Sequence, residues 1–237
     1  MGDGAPNDFT AYGPSHWFVL GIFALGAVLS VWIGRRERGE KSSLFSRGFG
    51  LTVFVLYVVM MSVLFLPPAI DQSVPLRLTD LATVIAAYAL WSRRQWAYAL
   101  TYYWCLVLST QALVTPALES PDFPHPHFLA FWAIHLVVVW AAIYLTWGVG
   151  MRPDWGSFRT VVAVTLTWAV VTMTFNSLAG TNYGFLNAKP STPSLLDAFG
   201  PWPWYIVVAG SLIVAIWALM TWPWVRGARQ LERRRNH

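Results

Sequence analysis

Thr79 and His135 are the two side chains of this 237-residue sequence whose types could carry out covalent chemistry together. A threonine hydroxyl becomes a nucleophile when a neighbouring base takes its proton, and a histidine can be that base. The chemistry that this pair predicts is acyl transfer, with Arg77, Gln111 or Asn176 stabilising the oxyanion. Both residues also have structural interpretations. Thr79 can bond its own helix backbone, and His135 can be a hydrogen-bond partner between helices.

The composition sets the environment of these residues. The sequence is 56% hydrophobic and 11% charged, whereas roughly a quarter of the residues in a water-soluble domain are charged. This balance excludes a soluble globular domain, and the high hydrophobicity excludes a disordered chain. The one cysteine, Cys105, excludes an intrachain disulfide and a thiolate metal cluster, and its apolar neighbours indicate a buried packing residue. The sequence is therefore that of a polytopic membrane protein.

Seven apolar runs are long enough to cross a bilayer when their interfacial aromatics are included, since a spanning helix needs roughly 20 residues. The connections between the runs are too short to hold a soluble domain. The sequence therefore predicts an all-α membrane protein with seven transmembrane helices in a single polytopic domain, residues 1–237. The predicted helices are approximately 17–33, 50–66, 76–91, 96–114, 128–149, 158–179 and 204–222.

Lysine and arginine are distributed unevenly among the connections. Fourteen of the 16 follow the first, third and fifth runs or lie in the C-terminal tail. Basic connections stay in the cytoplasm. We therefore predict that the N-terminus lies outside the cell and the C-terminus in the cytoplasm. The predicted location is the inner (plasma) membrane. Topology also explains the net charge of +5, so no nucleic-acid partner is expected.

In this orientation, the unusual polar side chains of the third to sixth helices lie in the outer half of the membrane. Ionisable groups there are costly and are candidates for function. The layer predicts a lipid-binding pocket open to the outer leaflet, and the loop of residues 181–201 is expected to fold over it. The candidate pocket residues are Arg77, Asp80, Gln111, His127, Asn176, Asn182, Tyr183 and Lys189.

Some of these residues have alternative interpretations. Arg77 and Asp80, three residues apart on a helix, can neutralise each other. Lys189 can pair with a lipid phosphate or be a solvated loop lysine. His135 is the only histidine inside a predicted span.

Metal and nucleotide cofactors are not expected. The HPH motif of His125 and His127 could hold a metal ion with His135 or Asp122, but the sequence offers no cysteine ligands beside it, which favours no metal. The sequence also has no Gly-rich phosphate loop and no Walker-type lysine motif. We therefore predict no cofactor and no ATP hydrolysis by this chain.

Five segments carry a resemblance to a known family: VPLRLTDLA, STQALVTPALES, DFPHPHFLAFWAIH, FNSLAGTNYGFLNAKPSTPSLLD and GPWPWYI. From Val74 to Ile206, the chain resembles the YwaF-like family of bacterial integral membrane proteins. The animal relatives of that family are ether-phospholipid acyltransferases, and more remote kin are lipid-ester hydrolases with a Thr/His dyad. The resemblance implies a seven-helix bundle with a lipid-facing pocket.

One departure from the family pattern bears on catalysis. His135 matches the family histidine, but Thr79 stands where the acyltransferase relatives carry a cysteine. The resemblance then implies either an enzyme of the Thr/His hydrolase style or a protein that has lost catalysis and kept the pocket.

Two functions of different classes follow. The first is an accessory subunit of an Mce-type importer of lipids (fatty acids or sterols), with membrane lipids and the importer's permease subunits as partners. An actinobacterial member of the family has this role. The second is a phospholipid acyltransferase or lipid-ester hydrolase using Thr79 and His135. The missing cysteine and the sparse catalytic groups favour the first slightly. A small-molecule transporter is a weaker third, because no inverted repeat is visible.

Overall fold

The computed structural model describes residues 8–38, 43–64, 68–71, 73–116, 118, 120–190 and 194–235. In these ranges the regular structure is helical, and extended pairing is limited to an isolated bridge between Asp8 and Pro121. The α-helices are α1 (Pro14–Arg36), α2 (Leu44–Leu64), α3 (Leu78–Ser92), α4 (Gln95–Leu100), α5 (Thr110–Val114), α6 (Pro126–Ile143), α7 (Trp155–Ala179) and α8 (Trp204–Arg235). Two π-helical segments, π1 (Thr101–Ser109) and π2 (Tyr144–Val149), follow α4 and α6, and short 3₁₀ turns cover Tyr183–Phe185 and Leu195–Phe199.

Each of the seven predicted runs coincides with a helix over most of its described residues; residues 65–66 of the second run lie outside the described part of the chain, and the third helix begins at Leu78. α4, π1 and α5 continue one another from 95 to 114, and α6 continues into π2. Among the described residues, five segments are long and apolar enough to cross a membrane, in agreement with the predicted all-α membrane protein. They are Pro14–Arg36, Leu44–Ser62, Pro126–Val149, Trp155–Ala179 and Trp204–Gly227. At 15 residues, α3 is shorter than a full span, so seven crossings and the orientation of the termini stay predictions.

The ends of α7 show how local sequence sets the helix bounds. The Asp154 carboxylate accepts a hydrogen bond from the Ser157 N–H at 2.6 Å, satisfying one of the free donors of the first turn. At the other end Gly180 has a φ of +67°, which a residue without a side chain adopts at little cost. Its N–H bonds the Asn176 carbonyl. α7 is therefore bounded by its own caps.

The described residues form two compact units. The first lies within Met1–Leu66 and Thr79–Met151, where α1 packs against α6 and π2. The backbones of Gly34 and Gly148 pack directly against each other there. A Cβ added to Gly34 would lie only 2.6 Å from the Gly148 Cα. Small residues at a crossing are the usual means of close helix packing in membranes. Cys105 on π1 is fully buried in this unit, which confirms its predicted packing role.

The second unit lies within Pro67–Leu78 and Arg152–His237. In it α7 packs against α8, the 3₁₀ turn Tyr183–Phe185 packs against α7, and the turn Leu195–Phe199 packs against α8. The single membrane domain predicted from the sequence stays a prediction.

Candidate functional site

Thr79 is the second residue of α3 and is half-buried in the first unit. Its carbonyl accepts a hydrogen bond from the Thr83 hydroxyl at 2.7 Å, so Thr83 is the threonine that bonds the helix backbone. The Thr79 hydroxyl itself makes no hydrogen bond to the residues that the structure describes. It is therefore free to react with, or bond to, a group that enters the site.

His135 lies on α6 in the same unit, with its ring packed against Phe131 at a centroid distance of 4.4 Å. Its Nδ1 is 2.7 Å from the Phe131 carbonyl oxygen. Because a carbonyl only accepts, Nδ1 carries the hydrogen, and in the neutral ring Nε2 has the lone pair. Nε2 has no hydrogen-bond partner in the described part of the chain. An unprotonated Nε2 is what a general base requires.

No hydrogen bond joins Thr79 to His135. A nucleophile and its base act within about 2.6–3.2 Å of each other, although the distance is often longer before substrate binds. The Thr79 hydroxyl and Nε2 of His135 are thus both unbonded, as acyl transfer requires, but they do not form the hydrogen bond that joins a nucleophile to its base. Asp80, the next residue on α3, is buried in the first turn, where the helix dipole favours negative charge.

Gln111 and His127 are exposed members of the first unit. The Gln111 carbonyl accepts bonds from the Thr115 N–H at 2.7 Å and from the Thr115 hydroxyl at 3.1 Å. The His127 N–H donates to Nδ1 of His125 at 3.3 Å, which makes the HPH motif the N-cap of α6. In the part of the chain that the structure describes, no three His, Cys, Asp or Glu side chains are placed to hold a metal ion.

Asn176 lies at the end of α7 in the second unit and is buried. Its Oδ1 accepts from the Tyr183 N–H at 2.8 Å and from the Thr181 hydroxyl at 2.9 Å. Its Nδ2 donates to the Tyr183 carbonyl and to Oδ1 of Asn187, both at 3.0 Å. Both N–H groups and both oxygen lone pairs of the amide are occupied. Asn176 therefore holds the loop after α7 and has no donor left for an oxyanion.

Tyr183 and Asn182 extend this loop structure. The Tyr183 hydroxyl donates to the Ile70 carbonyl at 2.8 Å and accepts from the Val74 N–H at 3.0 Å. The Asn182 side chain bonds both the N–H and the carbonyl of Ala188, at 3.1 and 2.8 Å. Residues 191–193 of the predicted covering loop lie outside the described residues.

Lys189 lies near the end of the loop segment 181–190. Its Nζ lies 3.5 Å from Oδ1 of Asp197 and 5.7 Å from the centre of the Tyr205 ring. The pKa of Asp197 is lowered, first by the hydrogen bond from the Ser194 N–H and then by Lys189. A lipid phosphate would have to compete with Asp197 for this lysine. Arg77 is exposed and belongs to the same unit.

Most of the chain matches a known protein family. A family model described as the TMEM164 family matches residues 11–221, most of the chain. The chain belongs to the TMEM164 family. No curated protein and no solved structure matches it significantly. Membership in this multi-pass family, together with the apolar helices, establishes a multi-pass membrane protein.

In this TMEM164-family protein, His16 is a buried polar residue that was not predicted from the sequence. The first candidate span begins at Pro14 and not near residue 17, so His135 is not the only histidine in a span. His16 is fully buried; its Nε2 donates to the Leu113 carbonyl and its Nδ1 accepts from the Tyr12 N–H, both at 2.9 Å. With both nitrogens bonded to backbone, it holds the N-terminal segment. Pro14, a typical first helical residue, was the available signal.

A largely buried ionic cluster in the TMEM164-family protein was not predicted from the sequence either. Arg93 counted only as a topology signal in the sequence, but its Nη2 donates to the Tyr144 hydroxyl at 2.9 Å and pairs with Glu37 at 3.4 Å. No sequence spacing links these three positions, so no pattern could have found the cluster.

The TMEM164-family protein has an open cleft of about 740 Å³ near the start of α6. None of the predicted pocket residues lines it. Its lining residues are Asp8, Pro121, Asp122, Phe123, Pro124, His125 and Pro126.

Proposed function

We propose that this protein handles lipids without catalysis, as an accessory subunit of a lipid (fatty acid or sterol) importer of the Mce type in the plasma membrane. The observation that supports this most is the engagement of Asn176. Of the groups considered for an oxyanion, it is the buried amide, and all four of its hydrogen-bonding positions are taken by the loop. The resemblance to the YwaF-like family, an actinobacterial member of which accompanies such importers, supports the same role.

Affinity purification tests the proposal. The chromosomally tagged protein is extracted in mild detergent, and everything that co-purifies is identified by mass spectrometry, with an untagged strain as control. Stoichiometric recovery of permease, ATPase and extracytoplasmic lipid-transfer subunits is expected. Recovery of the chain alone, with bound phospholipid or lysophospholipid, contradicts the accessory role.

An acyltransferase or lipid-ester hydrolase is the second candidate. The observation in its favour is that His135 offers an unbonded Nε2 while the Thr79 hydroxyl is unbonded too. In this mechanism Nε2 takes the hydroxyl proton and Thr79 attacks the ester carbonyl of a phospholipid. The ester C–O bond then breaks, and the lysophospholipid leaves as an alcohol with the proton from His135. The acyl group finally passes from Thr79 to the hydroxyl of an acceptor lipid or to water, which restores the threonine hydroxyl.

Turnover of the purified protein on phospholipid separates the two functions. For an enzyme, Thr79→Ala and His135→Ala abolish turnover, Thr79→Ser keeps part of it, and Thr79→Cys raises it because a thiol is the stronger nucleophile. For an accessory subunit, none of the four variants changes the background rate. Thr83→Ala, on the same helix, is the matched control.

A further inference from the structure

Two Trp–Arg pairs stand at the C-terminal ends of membrane spans. In the first unit the guanidinium of Arg36 lies 3.6 Å from the centre of the Trp32 ring. In the second unit the guanidinium of Arg226 lies 3.9 Å from the centre of the Trp222 ring. Both pairs have i,i+4 spacing, which puts the two side chains on one face of the helix. The spans concerned are Pro14–Arg36 and Trp204–Gly227.

We propose that each pair, Trp32–Arg36 and Trp222–Arg226, is a binding site for the headgroup of an acidic phospholipid. The leaflet is the one that faces these helix ends, which the distribution of basic residues assigns to the cytoplasm. This inference concerns the contact with the bilayer and is independent of the proposed function.

The tryptophans place the sites at headgroup depth. Trp32 is 51% exposed and Trp222 is 45% exposed, each at the end of an apolar span. Indole rings in this position lie at the membrane interface, with their apolar face towards the acyl chains. The arginine one turn further on therefore lies at the level of the lipid phosphates.

The arginines keep their donors available. Within the described residues, neither Arg36 nor Arg226 makes a hydrogen bond or an ion pair. Stacking on the indole uses the face of the guanidinium, so the N–H groups at its edge stay free for bidentate bonds to a phosphate. Glu37, the acid next to Arg36 in sequence, is engaged by Arg93 and Tyr144 and does not neutralise it.

The indole also orders the arginine before lipid binds. A flexible arginine loses rotamer freedom when it grips a headgroup, and a side chain already held in place loses less. Arg35 provides the comparison within the same turn of α1. It is exposed and carries the same charge, but it has no contact with an indole. The proposal therefore predicts that Arg36 binds acidic lipid better than Arg35 does.

Native mass spectrometry of the full chain tests this. The purified protein is equilibrated in mixed micelles with equal amounts of phosphatidylglycerol and phosphatidylcholine, and the bound lipids are counted. The wild type is expected to retain phosphatidylglycerol in preference. Arg36→Gln should lower that retention about fivefold, the effect of one interfacial charge, and Arg226→Gln should do the same at the second site. Arg35→Gln, the matched control, should change it far less.

Two further variants distinguish the paired site from simple net charge. Trp32→Leu keeps every charge and removes the ring, and it should lower retention as Arg36→Gln does. Arg36→Lys keeps the charge without the planar donor edge and should fall between wild type and Arg36→Gln. Equal losses for Arg35→Gln and Arg36→Gln, or full retention in Trp32→Leu, would overturn the proposal. Circular dichroism of each variant verifies that the helices are intact.

Discussion

The Arg93 guanidinium donates a hydrogen bond to the Tyr144 hydroxyl at 2.9 Å. Tyr144 donates in turn to Glu37, whose carboxylate also pairs with Arg93 at 3.4 Å. The side chains of Arg93 and Glu37 are 6% and 15% exposed, so water screens their charges little. Glu37 follows α1, Arg93 follows α3, and Tyr144 begins π2. The cluster therefore connects three segments of the first unit that are distant in sequence.

Replacing Arg93 should destabilise the first unit. Arg93→Ala leaves the largely buried Glu37 carboxylate without its cation, a loss of about 1–3 kcal/mol in the free energy of unfolding. Arg93 also has a φ of +50°, which glycine tolerates better than alanine. Arg93→Gly should therefore be less destabilising than Arg93→Ala. Unfolding by SDS in mixed micelles measures both.

The control for Arg93 is its neighbour. The Arg94 side chain makes no hydrogen bond or ion pair with any described residue, so Arg94→Ala removes the same charge without breaking the cluster. Arg93→Ala combined with Glu37→Gln should recover part of the loss, because the unpaired charge is gone. Similar unfolding curves for Arg93→Ala and Arg94→Ala would falsify the structural role of the cluster.

The crossing of α1 and π2 should not accept a methyl group. A Cβ on Gly34 would lie 2.6 Å from the Gly148 Cα and 2.9 Å from its carbonyl carbon, and backbone atoms cannot rotate away. Gly34→Ala should therefore lower the free energy of unfolding by about 1–3 kcal/mol. Gly21→Ala on the same helix meets nothing within 4 Å and should leave stability unchanged. Titration with SDS measures the free energy of unfolding of both variants. Equal values for Gly34→Ala and Gly21→Ala would show that α1 and π2 are not tightly packed at this crossing.

The sequence predicted the helices well because hydropathy is a property of each run by itself. Within the described residues each run contains a helix, and errors at the ends come partly from polar residues that helices still include, such as Ser46 and Arg47 at the start of α2 and the basic tail to Arg235 in α8. The π-helical turns of Thr101–Ser109 could not be predicted, since widening a helix leaves its apolar composition unchanged.

The candidate site was predictable only in part. Residue types identified Thr79 and His135, but which nitrogen of His135 is free depends on its bond to Phe131, one turn back on α6. Asn176 was selected by its depth in the membrane, and depth says nothing about partners. Its four hydrogen bonds go to a loop whose path is set by tertiary contacts of Tyr183.

The Lys189–Asp197 pair should respond to acid. The pKa of Asp197 is lowered in the folded loop, mainly by the Ser194 N–H, so folding favours the carboxylate. Its contribution is therefore complete above the ordinary aspartate pKa and is lost as the pH falls through the lower folded value. The carboxyl carbon of Asp197, assigned in NMR spectra by Asp197→Asn, should titrate below the ordinary range.

Lys189→Gln tests the order of the causes. It should raise the Asp197 midpoint only partly, because the larger cause, the hydrogen bond from the Ser194 N–H at 2.8 Å, remains. A midpoint that returns fully to the ordinary aspartate value in Lys189→Gln would show that the lysine, and not the backbone donor, dominates.

Substitution of Asn176 distinguishes a role in holding the loop from a catalytic role. Asn176→Ala leaves the Tyr183 N–H and the Thr181 hydroxyl unpaired in a buried position, which costs about 3 kcal/mol. The loop after α7 should then open, and proteases should cut it in the detergent-solubilised protein. Ser177→Ala, one residue on and exposed, removes only the hydroxyl's bonds to Met173 and Asn187 and should leave the loop protected.

Tyr183→Phe deletes the bonds to Ile70 and Val74 without touching the Asn176 amide and should open the loop too. If phospholipid turnover is found, an oxyanion role requires Asn176→Ala to lower it while Tyr183→Phe spares it. Parallel losses in both variants place Asn176 in the loop structure, because only the loop is common to them.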